Sequence, residues 1–407
     1  MIGAGIFINA KPLTQLAGPF GFMGYLIGAC ILLPLILCIA ELANLHSVAG
    51  GLYVYPRTYL NPSVGFLSGW AYFIGKTTSA AVLMHKFNEF FVARVPVLQN
   101  VSPLMFDIGM LFLIAGLNIA GLAIGGRIQY VITALKAVPI LAIFTIGFCY
   151  FDSSAFYHEI IAGDLFNILP IALFALSGFE AVCHIGNMID QSKHSIKWVI
   201  VTSFSIVAAV NILFQIFAYS VLGDVLTTTS EPILTIGLTA LPSVPWFAAI
   251  LNGAVFTAII GSCFSILTSN CWNLHAMAKD GHLPFKNLLT RVNQQNTPWI
   301  SLLIEVALGS LILVITLNQV PLQNMAVLSQ QTAFFLCACA ALRAVQRKAL
   351  RTLAWWVPVL ALMACGSIMG ICVYRLIALG VSASFVTLFS TGLIAKALTG
   401  YLRPKRQ

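Results

Sequence analysis

Ile2-Gly3-Ala4-Gly5-Ile6-Phe7 opens the chain, and Phe174-Ala175-Leu176-Ser177-Gly178-Phe179-Glu180 stands near its middle. Both stretches place small residues inside otherwise apolar segments, and the relation between the two interruptions decides the architecture. Unwound backbone at membrane depth is tolerated only where it lines a cavity or is buried in protein. Taken alone, Gly3-Ala4-Gly5 reads as a surface for close helix packing. Its recurrence as Ser177-Gly178 at a corresponding place favours two broken helices instead.

Composition supplies the solvent. Of the 407 residues 59% are hydrophobic and only 8% are charged, where a soluble chain carries roughly 25% charged residues. Such a chain cannot cover its own surface in water, so lipid must surround most of it. A helix crossing about 30 Å of hydrocarbon needs roughly 20 apolar residues. On that ruler about twelve spans are expected, near 1–16, 19–43, 63–92, 104–123, 127–151, 165–190, 196–222, 246–278, 297–317, 321–344, 353–378 and 382–402.

The net charge of +9 comes from dispersed residues with no basic stripe, which argues against nucleic acid. Charge instead alternates between connections. Arg57, Arg127, Lys193, Lys197, Lys279, Lys286, Arg291, Arg343, Arg347, Lys348, Arg351, Arg403, Lys405 and Arg406 fall on one side. Lys11, Arg94, Asp152, Glu159, Asp164, Asp224 and Glu231 fall on the other. The positive-inside rule makes the first side cytoplasmic, with both termini inside. The ten cysteines sit in or beside apolar segments without CxxC spacing and read as small core residues, neither metal ligands nor disulfides.

Five segments separate the two interruptions. Each is followed by one ordinary span, a long one (63–92 and 246–278), and two more. An odd number of spans per unit inverts the second copy, giving an inverted repeat with a midplane site between discontinuous helices. The expected units are 1–151, 152–345 and a final 346–407. Free N–H groups at one half-helix start attract a carboxylate, and free carbonyls at the other half-helix end attract an ammonium group.

These residues resemble the amino acid-polyamine-organocation family of permeases. The likeness rests on Ile2 to Phe7, on Ala40-Glu41-Leu42-Ala43 with Gly50-Gly51-Leu52-Tyr53, on Phe174 to Glu180, and on Met277-Ala278-Lys279-Asp280-Gly281-His282-Leu283-Pro284. It implies an all-α integral membrane protein with a LeuT-like 5+5 inverted repeat plus two C-terminal helices. Two departures stand out. Asn270-Cys271-Trp272-Asn273 occupies a place where members commonly carry an arginine, and the family's half-helix before the glycines is missing ahead of Met1, so a first helix truncated at its N-terminal half is expected.

The expected substrate-binding residues are Ile2, Gly3, Ala4, Gly5, Lys76, Phe174, Ser177, Gly178 and Phe179. Lys136 and Glu180 are expected to serve proton coupling or gating. An ionisable group inside a span is costly and a functional candidate by default. Lys136, in Ala134-Leu135-Lys136-Ala137, is a proton carrier or a structural pin, and the resemblance makes it a built-in replacement for a sodium ion. Lys76 either sets selectivity against cationic substrates or pairs with Glu180 or Glu305. Glu180 either titrates or caps a half-helix, while Phe174 and Phe179 are pocket walls or ordinary packing. Thr257, Ser262 and Ser265 are expected to bond between helices. Glu41 reads as an ion-pair partner, and His85, Lys86 and Glu89 as snorkelling side chains.

The expected function is a secondary transporter of amino acids or related amines, proton-coupled or exchanging, working by alternating access in the cell membrane (bacterial inner or plasma membrane). Its partners are the amino acid, the proton, the bilayer and, in a homo-oligomer, further copies of itself. The alternatives are a nontransporting sensor, partner subunit or decayed permease, and, from another class, a channel. No phosphate-binding loop, HExxH or other enzyme motif is present, and no cofactor is expected.

Overall fold

The computed structural model describes residues 3–46, 50–92, 94–95, 97, 99–120, 126–156, 162–184, 196–229 and 231–402. Helices dominate, and no strand occurs among the described residues. In chain order they are α1 Gly5–Ala17, α2 Gly21–Leu45, α3 Gly51–Tyr59, α4 Pro62–Val92, α5 Pro103–Ile119, α6 Gly126–Cys149, α7 Ala162–Leu176 and α8 Ala181–His184. There follow α9 Ile196–Leu222, α10 Pro232–Ala240, α11 Pro245–Lys279, α12 Lys286–Leu289, α13 Trp299–Ile315, α14 Gln319–Gln346, α15 Trp356–Ala378 and α16 Ser382–Leu402.

Among the described residues, six helical stretches are long and apolar enough to cross a bilayer: 5–45, 196–227, 246–279, 319–346, 356–378 and 382–399. Shorter apolar helices occupy 103–119, 134–149, 166–176 and 299–315. The stretch expected as one span at 165–190 is divided into α7, a turn over 177–180 and α8, while 185–195 lie outside the described residues. Helices α3, α10 and α12 were not expected, because nine residues or fewer fall below a bilayer-length ruler.

The centre of the protein is α4. Every residue from Ser68 to His85 is buried, with α3, α5, α11, α13, α14 and α16 packed around it. Three of its hydroxyls are satisfied by their own helix: Thr77, Thr78 and Ser79 donate to the carbonyls of Phe73, Ile74 and Gly75 at 2.8–2.9 Å. On the outside, Phe148, Met363, Tyr374 and Val386 are more than half exposed, the apolar face that lipid covers.

Several charged links lie toward the two ends of the bundle. At one end Lys197 donates to Glu41 at 2.6 Å, tying α9 to α2, and Arg57 of α3 pairs with Asp280, which also accepts from Tyr53 at 2.7 Å. Burial, aided by Asp280, raises the Tyr53 phenol above its ordinary range. At the other end Arg94 pairs with Glu231, and Lys11 and Gln15 donate to the carbonyls of Thr228 and Thr227. Of the charges expected on each side, Glu159, Lys193, Arg403, Lys405 and Arg406 lie outside the described residues.

Candidate functional site

Two helix ends converge in the middle of this bundle. Helix α1 starts at Gly5 with Ala4 before it, and Ala4 supplies no side-chain cap to its first turn. The Ala4 carbonyl accepts from Phe7 and Ile8 at 3.0 and 3.3 Å, whereas the opening amides have no partner within the helix. Helix α7 packs beside α1 and stops at Leu176. Gly178, at φ +125°, takes a backbone conformation that side-chain-bearing residues rarely adopt, and it turns the chain toward α8. The Ser177 hydroxyl bonds back to the Leu173 carbonyl at 2.8 Å. A positive helix start and a negative helix end therefore meet at one place.

The two glycines of the first break differ in role. A methyl group on Gly5 would stand 2.8 Å from both Cα and Cβ of Ala175, so close approach of α1 to α7 demands glycine there. A methyl on Gly3 would meet nothing nearer than 4.0 Å, the Ser262 Oγ among its neighbours. Gly3 instead borders a cavity of about 650 Å³.

That cavity is lined by Gly3, Ser177 and Gly178 from the two breaks, Tyr72 and Lys76 from α4, and Lys136 from α6. Ser203 of α9 and Ser262, Ser265 and Ser269 of α11 add hydroxyls, against an apolar wall that includes Ile140, Leu141, Phe144 and Val207. A pocket of this size, mostly apolar with a few convergent polar groups, suits a small organic molecule. A second cavity of about 440 Å³ touches Phe7, Ile8, Lys11 and Gln15 of α1 together with Lys86, Glu89 and Gln319.

Lys76 Nζ lies 2.6 Å from Glu180 Oε1. Glu180 is fully buried, accepts from the Tyr72 hydroxyl at 3.4 Å, and takes the Gly178 amide on Oε2 at 2.8 Å. The lysine charge at the cavity is thus matched by a carboxylate that also fixes the break. Lys136 donates to Ser262 Oγ at 3.2 Å and is ion-paired with no carboxylate among the described residues.

The other expected residues lie elsewhere. Ile2 is outside the described residues. Ala4 and Gly5 are buried behind the cavity wall, and Phe174 and Glu180 are also absent from it. Phe179 is fully buried, stacked on Phe334 with ring centroids 5.5 Å apart and edge-on to Phe204 at 5.8 Å. It packs α8's entry against α14 and α9.

Three smaller expectations need correction or completion. Thr257 and Ser265 bond to their own helix, at the carbonyls of Ala254 and Gly261, and only Ser262 also receives a bond from another helix. His85 does not snorkel: it is buried, with Nδ1 2.8 Å from Asp107 Oδ2. Glu41 pairs with Lys197. Tyr72, Ser203 and Ser269 were not singled out from sequence; Tyr72 could have been, since it lies one helical turn before Lys76.

A profile of the family described as "Amino acid permease" matches residues 1–395. The chain is 26% identical over 330 residues to the serine/threonine exchanger SteT of Bacillus subtilis (strain 168), covering 78% of this chain and 74% of that protein. It is 24% identical over 309 residues to the uncharacterized amino acid permease YtnA of the same organism, covering 70% of this chain and 64% of the relative. To the lysine-specific permease LysP of Lactococcus lactis subsp. cremoris it is 23% identical over 343 residues, covering 76% and 65%. The matched stretch therefore spans less than two thirds of the length of YtnA and of LysP.

Proposed function

The chain belongs to the amino acid permease family, and from that membership and the cavity's geometry we propose that it carries amino acids across the cell membrane as a secondary transporter. The observation that carries this reading is one cavity bordered by Gly3, just before the start of α1, and by Ser177 and Gly178, just past the end of α7. A substrate carboxylate sits against the first amides of α1, and its ammonium group against the last carbonyls of α7. The side chain then faces the serines and the apolar wall. Because Glu180 offsets the Lys76 charge, the site favours neutral amino acids, in keeping with the name of the relative SteT.

Transport proceeds by alternating access of two inverted five-helix units, 1–151 and 152–345, with α15 and α16 outside them, the basic end and the C-terminus being cytoplasmic. Lys136, bonded among the described residues only to the neutral Ser262 hydroxyl, is the group best suited to exchange a proton as the substrate arrives. Coupling is by proton symport or by exchange of one amino acid for another.

Uptake into proteoliposomes, with a panel of labelled amino acids at two pH values and with internal amino acid present or absent, tests the reading. Accumulation of neutral amino acids in competition with serine or threonine is expected. Absence of any uptake or exchange would overturn it.

A further inference from the structure

One buried carboxyl group outside the cavity has no counter-charge among the described residues. Glu305, midway along α13, is fully buried, and the Asn270 amide on α11 donates to its Oε1 at 2.8 Å. Its other oxygen, Oε2, has no hydrogen-bond partner among the described residues, and neither has Asn270 Oδ1. The Asn270 nitrogen is also 3.1 Å from the Phe73 carbonyl and 3.3 Å from Thr77 Oγ1. Helix α4 thereby orients the amide with its nitrogen toward those acceptors. Among the described residues no lysine, arginine or histidine is paired with Glu305.

An isolated carboxylate in so dry a place is far costlier than a neutral acid. A neutral carboxyl has one O–H donor and one carbonyl acceptor, and a carboxamide presents the complementary pair. The two orphan atoms belong to the two side chains already joined by the hydrogen bond to Glu305 Oε1, and together they offer the ends of a second one. We propose that Glu305 and Asn270 form a proton-binding site, in which a single proton on Glu305 Oε2 is donated to Asn270 Oδ1 and closes an acid–amide ring. The Asn270 Nδ2 to Glu305 Oε1 bond is the other side of that ring. No other reactant is involved, and release of the proton leaves two acceptor oxygens facing each other.

The site joins three helices at a point adjoining the cavity. Thr77 follows Lys76 on α4, Asn270 follows Ser269 on α11, and both predecessors line the cavity. The titratable groups near enough to sense a charge on Glu305 are Tyr72 from α4 and Cys263 and Cys271 from α11. On α5, which also packs against α13, Asp107 is committed to His85 and Asn88. Lys76 is committed to Glu180. The proton thus seats α11 and α13 on α4, and the site stands whether or not the chain transports amino acids.

Infrared difference spectroscopy of the purified protein in lipid, comparing wild type with Glu305→Gln at neutral pH, tests the assignment. The carbonyl stretch of a protonated carboxylic acid is expected in wild type and is lost in the variant; a wild-type spectrum without that band would overturn the proposal. Thermal unfolding against pH gives a second readout, because the glutamine keeps both bonds of the ring without a titratable proton. Removal of that proton at high pH takes one bond of the ring from wild type, a bond the glutamine retains. Glu305→Gln is therefore expected to be at least as stable as wild type at neutral pH, with an advantage that widens on alkalinisation. A glutamine variant that is less stable by an amount independent of pH would overturn the assignment.

Discussion

Lys76 and Glu180, 2.6 Å apart and both buried, tie the central helix α4 to the turn that ends α7. The pair also receives the Gly178 amide on Glu180 Oε2, so the break at Ser177-Gly178 and the positive charge of the cavity are held by one carboxylate.

Removing one partner strands the other. Lys76→Met leaves the Glu180 charge buried and unmatched, an event worth about 3–5 kcal/mol in soluble proteins. The expected outcome is a protein with a sharply lowered unfolding midpoint and no uptake. The double variant Lys76→Met, Glu180→Gln should recover much of the midpoint, and equal instability of single and double variants would reject the pairing argument.

The first break offers a steric contrast. Gly5→Ala places a methyl against the backbone of Ala175 and should cost about 1–3 kcal/mol, as overpacking does. Gly3→Ala meets open space at 4.0 Å and should leave the unfolding midpoint near wild type while shrinking the cavity and raising the KM for uptake. Thermal melts and uptake kinetics of the two variants check this, and equal destabilisation would count against it.

Lys136 has only the Ser262 hydroxyl as a side-chain partner among the described residues. Lys136→Met should abolish uptake driven by a pH gradient while leaving exchange between labelled and unlabelled amino acid measurable. Undiminished pH-driven uptake would remove Lys136 from the coupling step.

A pH effect is expected at one end of the bundle. His46 Nε2 and the Tyr59 hydroxyl are 2.8 Å apart and join the end of α2 to α3, and burial holds His46 below the ordinary histidine range. The unfolded chain therefore binds the proton more tightly. The contact's contribution is complete above the ordinary value of about 6.5 and is lost as pH falls below it. Hydrogen exchange over α3 should quicken on mild acidification in wild type and become insensitive to pH in His46→Gln. An unchanged wild-type rate would argue against this link.

Much of the helical layout was legible because apolar length follows directly from bilayer thickness. Segment 196–222 coincides with α9, and α11 and α14 fall within two residues of their expected limits. The short helices α3, α10 and α12 carry no such length signal. Polar and small residues inside apolar runs are equally conspicuous, and Gly3, Lys76, Lys136, Ser177 and Gly178, expected on that ground, all border the larger cavity. What could not be read was direction. The rotation of the chain after Gly178 sends the Phe179 ring to Phe334 and Phe204, and only the folded packing shows that Lys76 takes Glu180 while Glu305 takes Asn270. His85 looked like an interfacial side chain until α5 brought Asp107 to it.

Helix α4 has a consequence for how the protein is made. It is 31 residues long, yet it is not among the stretches apolar enough to enter a bilayer by composition. Its polar residues are enclosed chiefly by α14 and α11, so the burial that accommodates them is complete only with those later helices in place. Assembly of the centre must therefore wait for helices synthesised long after it. A chain interrupted before α14 is expected to be cleared by membrane proteolysis, not to accumulate as an inactive protein.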